Sequence, residues 1–417
     1  MDFFSAIPLP LWIAALLAFY MAWAIGANDV ANAMGTSVGS GALTVGGAVI
    51  VAAIFEFAGA FLAGGHVTDT VRKGMLDMSL LGREQLIYGM MASLASAGTL
   101  LIGATRFGLP ISTTHAIVGA IVGFGAVAIG IDAVNWPKVL QISLSWITSP
   151  LLAGVIAFAI FHLIRSTILN KSNPVHQIRK YGPAFFFFVF FIIGLVTLFK
   201  GLKHINLDLD LMEALAGSVA LGLIGSGLGA FFIRRVQIGE ADPDHRFDQV
   251  ERIFVVLQIL TACAIAFAHG SNDVANAIGP LAAIVNAVEN VDLTAKAPIA
   301  PWMLAIGGLG IVIGLATWGY RVMETIGKKI TELTPSRGFA AQLAAASTIV
   351  LASRLGIPIS TTHTLVGAVL GVGLARGITA LDLRVVGNIL ASWIATLPIA
   401  AALSVFFYYF FKGLLTA

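Results

Sequence analysis

Gly26-Ala-Asn-Asp-Val-Ala-Asn-Ala-Met-Gly35 returns 244 positions later as Gly270-Ser-Asn-Asp-Val-Ala-Asn-Ala-Ile-Gly279, with eight of ten residues identical. Both copies sit inside apolar sequence, where an Asp and two Asn residues are costly to bury. The chain around them has 417 residues, 58% hydrophobic and 11% charged, with mean hydropathy +0.93. Soluble domains carry about 25% charged residues, so the sequence specifies a polytopic membrane protein. Ionisable groups at membrane depth mark function by default. A duplicated pair marks it more strongly.

Outward from the first copy, apolar residues from Ile7 lead into Gly26, and Gly35-Thr-Ser-Val-Gly-Ser-Gly41 follows. That stretch is too rich in Gly and Ser for a comfortable continuous helix, so a broken or distorted first span is expected. Glu56 falls in the middle of the next apolar run, Ala42 to Gly64. Tyr88–Ala104 and Ile111–Gly130 are separated only by Thr105-Arg-Phe-Gly-Leu-Pro110. A short run, a Gly-Pro separator and a second run form the pattern of a re-entrant helical hairpin, tolerated where protein or a water-filled cavity surrounds the tip. Two full spans with a tight turn fit the same residues. Further spans are expected at 139–164, 185–199 and 211–233, with the Phe185–Phe188 run facing lipid.

The charged stretch Arg234 to Arg252 ends the first half, and the pattern starts again. Ala104-Thr-Arg-Phe-Gly-Leu-Pro-Ile-Ser-Thr-Thr-His115 matches Ala352-Ser-Arg-Leu-Gly-Ile-Pro-Ile-Ser-Thr-Thr-His363 at nine of twelve positions. Two motifs in one order at nearly one offset mean an internal duplication. The reading divides the chain into a first repeat at 1–165, connecting helices and a charged linker at 166–252, and a second repeat at 253–417, each repeat with a broken helix and a hairpin. With each hairpin returning to its own side, the two motif helices are crossings one and six. They run in opposite directions, which makes an all-α fold of inverted repeats with a midplane site.

The hairpin motif sets a Pro and then Ser112, Thr113 and Thr114 at the start of an apolar helix, and Ser360, Thr361 and Thr362 repeat it. Helix N-termini bind anions through free N–H groups and the positive end of the helix dipole. Two such tips with six hydroxyls would line one anion cavity; simple capping is the plainer alternative. In the other motif, Asn28 and Asn32 share a helix face beside Asp29, and Asn272, Asp273 and Asn276 repeat the arrangement. Carboxylates and amide carbonyls are hard oxygen ligands suited to hard cations. Interhelical clamping is the alternative. Neither motif core holds a Lys or Arg, so co-bound cations would supply the charge an anion needs. Anion–cation symport follows. A protonated anion such as hydrogen phosphate can donate to a carboxylate, which favours it over sulfate.

The paired Gly-x-Asn-Asp-Val-Ala-Asn-Ala and Pro-Ile-Ser-Thr-Thr-His segments resemble those of the inorganic phosphate transporter family over most of 20–145 and 253–400. The resemblance implies secondary active uptake of inorganic phosphate, coupled to Na+ in many members and H+ in others, with inverted repeats and a homodimer. It implies that Asn28, Asp29, Asn32, Asn272, Asp273 and Asn276 form the cation and phosphate region, with sodium at Asp29, Asn32, Asp273 and Asn276. The two Ser-Thr-Thr triplets would contact phosphate. The long hydrophilic central loop of eukaryotic members is absent, which points to a prokaryotic plasma membrane. Sodium-coupled phosphate import is the expected function; a proton-coupled phosphate or sulfate permease, or a passive anion channel, are the alternatives. No nucleophile–base pair suggests an enzyme, and neither an organic cofactor nor a nucleic-acid partner is implied.

Weaker candidates complete the set. Glu56, with Gly310 opposite it when the halves are aligned, is a proton-carrier candidate or a structural hydrogen-bonding group. Gln342, with Leu94 opposite, is a minor site candidate, and Arg106 and Arg354 stand before the hairpin tips. His115 and His363 read as packing residues more readily than as pH sensors.

Overall fold

A computed structural model describes residues 8–65, 75–77, 80–198, 209–235, 246–289, 299–354 and 359–416. The side chains of Asn32 and Arg354, both candidates above, lie outside the described set, as does Pro358 of the second hairpin tip. Every regular element among the described residues is helical apart from an isolated bridge between Leu76 and Val134. Nine of the helical stretches described are long and apolar enough to cross a membrane.

The first half opens with α1 (Leu9–Ile25), started by prolines near its N-terminus where the missing N–H costs nothing. One π-helical turn, Gly26–Val30, separates it from α2 (Ala31–Gly39). The expected distortion therefore falls on the Asn-Asp motif itself. α3 (Val45–Ala63) carries Glu56, and α4 (Arg83–Arg106) with α5 (Thr113–Ala128) forms the first hairpin. α6 (Trp136–Ile164), α7 (Pro174–Val196) and α8 (Leu211–Arg235) follow. α7 begins eleven residues before the expected span, because Asn173 caps it through the His176 N–H and Pro174 fits the first turn.

The second half begins with α9 (Arg246–Glu289) and continues through α10 (Pro301–Trp318), the single turn α11 (Tyr320–Glu324), α12 (Pro335–Arg354), α13 (Thr361–Arg376) and α14 (Leu383–Thr416). Here one expectation fails. α9 runs as one 44-residue helix straight through Gly270–Gly279, so the second motif lies on an unbroken helix. Leu281, Ala282, Ala283, Ile284 and Val285 replace the Gly/Ser-rich stretch that follows the first motif, and all are buried. Such residues propagate a helix past Pro280 once neighbours pack against it.

The two halves pack into each other reciprocally. α1 lies on α10 and α9 on α3, while α6 lies on α13 and α14 on α5. Glycines allow the backbones to touch: a β-carbon on Gly26 would overlap the Ile311 carbonyl, and one on Gly270 the Glu56 carbonyl. Gly59 and Gly314 meet the Phe267 and Trp23 carbonyls in the same exchanged way. These contacts set Ile311, rather than Gly310, in the place equivalent to Glu56. The hairpin helices end alike, at left-handed Gly130 (φ 139°) and Gly377 (φ 116°).

The Phe185–Phe188 run does not face lipid as a block. Four consecutive residues circle a helix, so Phe185 and Phe186 point inward while Phe188 is half exposed. Phe185 packs on Phe254 of α9 and Phe339 of α12, with ring centroids 6.0 and 5.8 Å apart. Phe186, Phe187 and Phe190 fill the surfaces opened by Gly229, Gly222 and Gly225 of α8.

Gly371 of α13 lies against the Gly154 backbone of α6, whereas Gly387 of α14 faces open space. Gly371→Ala is expected to lower stability by about 1–3 kcal/mol through overpacking, and Gly387→Ala to leave it unchanged or raised. Thermal unfolding of the detergent-solubilised protein compares the two, and equal melting temperatures would contradict the backbone contact.

Candidate functional site

The two hairpin tips meet inside the bundle. Ser112 and Ser360 are the N-caps of α5 and α13, accepting from the N–H groups of His115 (3.2 Å) and His363 (3.1 Å). Their oxygens therefore cap, as the plainer alternative holds. The threonines after them do something else. Thr114 donates to the Ile359 carbonyl (3.3 Å) and Thr362 to the Ile111 carbonyl (3.4 Å), so each tip reaches across to the other.

Against these tips lie the two acidic residues, Asp29 at 1% exposure and Asp273 at 0%. Thr113 Oγ1 donates to Asp29 Oδ2 (2.6 Å), and Thr361 Oγ1 to Asp273 Oδ2 (2.8 Å). Thr362 also donates to Asp29 Oδ1, which ties the second hairpin to the first motif. Asn272 donates to Asp273 Oδ1 (2.8 Å), and Asn276 Nδ2 reaches Thr113 Oγ1 at 3.4 Å. A buried carboxylate needs such donors. The π-helical turn matters here, since it re-aims the side chains of 26–30 relative to a straight helix, a device common at functional sites.

Asn28 does not share this cluster. Its amide donates to Thr105 Oγ1 (2.9 Å) and the Leu109 carbonyl (3.0 Å), and its oxygen accepts from the Ile111 N–H (3.1 Å). Those three bonds hold the first hairpin tip, where Gly108 takes the left-handed φ of 65°. Trp393 Nε1 donates to the Pro110 carbonyl (3.2 Å) and braces the same turn.

One central residue escaped the sequence reading. His269 precedes Asp273 by one helical turn and is buried, with Nε2 2.8 Å from Asp273 Oδ2 and 3.7 Å from Asp29 Oδ1. Nδ1 lies 3.0 Å from Glu56 Oε2. Carboxylate oxygens therefore face both ring nitrogens, an arrangement satisfied by N–H on each nitrogen or by a proton held on one carboxyl. The ring thus stands between carboxylates in a site whose motif cores lack Lys and Arg. It was missed because Ile25 takes its place in the first copy, so a search by duplication passes over it. Asp29, His269 and Asp273 offer ligand atoms all within 4.8 Å of one another, a set of oxygen and imidazole donors able to hold a small cation.

Of the other candidates, Glu56 joins the site through His269. Gln342 lies in a separate buried network on α2, donating to the Ala33 carbonyl (3.1 Å) and Ser37 Oγ (2.7 Å). Arg106 is exposed at the end of α4. His115 packs tilted on Trp146 (3.7 Å between centroids, 40° between planes) and His363 stacks on Trp393 (3.5 Å), with 4.3 Å between the two histidines. They serve as packing for the two tips.

A family model, the phosphate transporter family, matches residues 25–404. This chain belongs to that family. Among members of the phosphate transporter family, a protein of Haemophilus influenzae whose name proposes a phosphate permease is 48% identical over 401 residues, 95% of this chain and 96% of that protein. Inorganic phosphate transporter 2-1, chloroplastic, of Arabidopsis thaliana is 42% identical over 459 residues, covering 99% of this chain and 77% of the plant protein. A solved structure named "The sodium-dependent phosphate transporter" superposes with a TM-score of 0.89 at 42% identity, covering 97% of this chain and 99% of its own. The multi-pass, all-helical membrane architecture is thus that of the family.

Asn28→Ala removes three hydrogen bonds and leaves the Ile111 N–H buried without its acceptor. A stability loss of about 2–4 kcal/mol is expected, read as a lower melting temperature with faster amide exchange at Ile111. Unchanged exchange there would remove the clamping role.

Proposed function

We propose that this chain imports inorganic phosphate by symport with sodium ions, through alternating access around the Asp29–Asp273 site. The observation that carries the reading is the pair of buried carboxylates bonded by threonines of both hairpin tips, with no Lys or Arg in either motif core. Two carboxylates so close repel one another, and a sodium ion between them relieves the repulsion. The ion then presents positive charge to an anion held by the tips. Each solute makes the site affordable for the other. The name of the sodium-dependent structural relative supports the choice of cation.

Thr113, Thr361 and Thr362, which bond to the carboxylates, would pass to phosphate in this cycle once sodium engages the acids. Thr114 and the capping Ser112 and Ser360 position the tips. Asn276, and Asn32 by its motif match, would complete the sodium shell. The inverted arrangement of repeats at 1–165 and 253–417 is supported by which helix ends meet. Arg83 at the start of α4 donates to the Val288 carbonyl at the end of α9, whereas Ser336 at the start of α12 donates to Glu251 near the start of α9. The first hairpin then enters from one face and the second from the other. A homodimer in a prokaryotic plasma membrane completes the reading.

Proton coupling is the second reading, favoured by one observation: Glu56 and His269 form a buried pair 3.0 Å apart beside both acids. Such a pair can carry a proton into the site without sodium.

Phosphate uptake into proteoliposomes decides between them. Sodium coupling predicts uphill accumulation under an imposed Na+ gradient and none without it. Accumulation driven by a pH gradient alone in sodium-free buffer would transfer the assignment to the Glu56–His269 pair, and downhill equilibration only would mean a channel. Asp29→Asn and Asp273→Asn are each expected to weaken sodium activation by about tenfold or more, the loss of a charge-assisted contact. Thr361→Val is expected to raise the phosphate KM about tenfold with a smaller change in sodium affinity. Equal sodium activation in wild type and both Asp variants rules out their cation role.

A further inference from the structure

Beyond the central site, the described residues contain one other buried polar network that joins the two halves of the chain, and it lies wholly on one side of Asp29 and Asp273. Its anchors are polar atoms of Ala33, Thr36, Ser37 and Ser40, about two turns along α2 and the residue after it. Gln342 of α12 donates to the Ala33 carbonyl and to Ser37 Oγ, and its own oxygen accepts from Thr261 Oγ1 (3.1 Å). Gln258 of α9 donates to the Thr36 carbonyl (3.1 Å) and accepts from Ser40 Oγ (2.7 Å). Both glutamines, Thr36, Ser37 and Thr261 are 0–1% exposed, and Thr36 Oγ1 has no hydrogen-bond partner.

The location is informative. α2 is the piece of the first motif helix beyond the π-helical turn, so the turn can act as its hinge. Its other face rests on Met323, Ile326 and Gly327 around α11, with Gly39 against Gly327 backbone to backbone. The side of the protein it closes also carries the helix ends at Arg165, Arg235, Arg321, Arg337 and Arg384, and Lys180 in the second turn of α7. An excess of basic residues marks the cytoplasmic face.

The repeat makes the comparison internal. The first-half counterparts of Gln258 and Gln342 are Ala14 and Leu94, both fully buried and apolar. At these two repeat-equivalent positions the opposite side is thus packed with hydrocarbon, where this side is joined by hydrogen bonds. The two closures differ in what opening requires. Parting apolar surfaces exposes them to water at about 25 cal/mol per Å². Parting a polar network exchanges each bond for one to water, at a net of about 0.5–1.5 kcal/mol.

We propose that Gln258 and Gln342 are the latch of the cytoplasmic gate, holding α2 shut over the central site until water replaces their bonds. The proposal rests on the transport reading above for what passes the gate, and on the geometry alone for the gate itself. On opening, α2 swings about residues 26–30, Thr36 becomes wet, and Asp29 gains a route to the cytoplasm. The apolar closure around Ala14 and Leu94 stays shut meanwhile, so the two faces are never open together.

The test places one cysteine at Thr36→Cys in a Cys263→Ala background, which removes the chain's single native cysteine. A membrane-impermeant maleimide is applied to right-side-out and inside-out vesicles. Labelling is expected from the cytoplasmic side only. Adding Gln342→Ala should speed it about tenfold, the equivalent of one lost buried hydrogen bond, while Leu94→Ala should leave it unchanged. Labelling from the outer side, equal labelling from both, or a rate indifferent to Gln342→Ala would overturn the latch. In a second arm, Ser37→Cys and Gln342→Cys are joined by a short cleavable thiol cross-linker. Phosphate exchange should stop and return on cleavage, and exchange persisting through the cross-link overturns the proposal. A protein that never moves phosphate, cross-linked or not, refutes the transport reading instead, and the labelling arm still decides the gate.

Discussion

Two buried carboxylates flanking a shared histidine, one 2.8 Å and the other 3.7 Å from its Nε2, are the constraint on which this structure depends. Burying even one charge in a hydrocarbon-embedded bundle is costly unless it is bonded. Asp29 and Asp273 are bonded by threonines drawn from both hairpins, so the tips must reach the centre of the bundle. For the tips to reach it, the chain must turn at Gly108, cap two helices with serine, and bring helices from opposite halves face to face. The reciprocal packing of α1 on α10 and α9 on α3 supplies the enclosure in which this becomes possible.

The sequence is informative about this centre wherever it repeats itself. Both hairpins and the aspartates are legible because each motif occurs twice at nearly one spacing, whereas Ser112 and Ser360 read there as anion contacts with capping as the alternative, and the structure shows the capping bonds. The same criterion explains what was hidden. His269 has an isoleucine as its counterpart, so repetition gave no signal for it, although its place one turn before Asp273 on a motif helix was a signal of another kind. Asn28 groups with the ligands by motif, because residue type does not distinguish an amide that binds solute from one that clamps a turn. Only the positions of Thr105, Leu109 and Ile111 separate the two roles.

Departures from the expected fold have equally local causes. The first motif helix is distorted and the second is not, since a glycine- and serine-rich stretch follows one and five buried apolar residues follow the other. The phenylalanine run turned inward because the small residues of α8 and the rings of Phe254 and Phe339 gave it partners. Composition shows how apolar a segment is; which direction it faces depends on a neighbour far away in the chain.

The glycine contacts between α1 and α10, and between α9 and α3, have a mechanical consequence. Helices touching at the main chain have no side-chain cushion to shear, so those crossed pairs behave as a rigid chassis. A bulkier residue at any of Gly26, Gly59, Gly270 or Gly314 would pry the frame apart and blur the spacing of the acids without itself touching a solute.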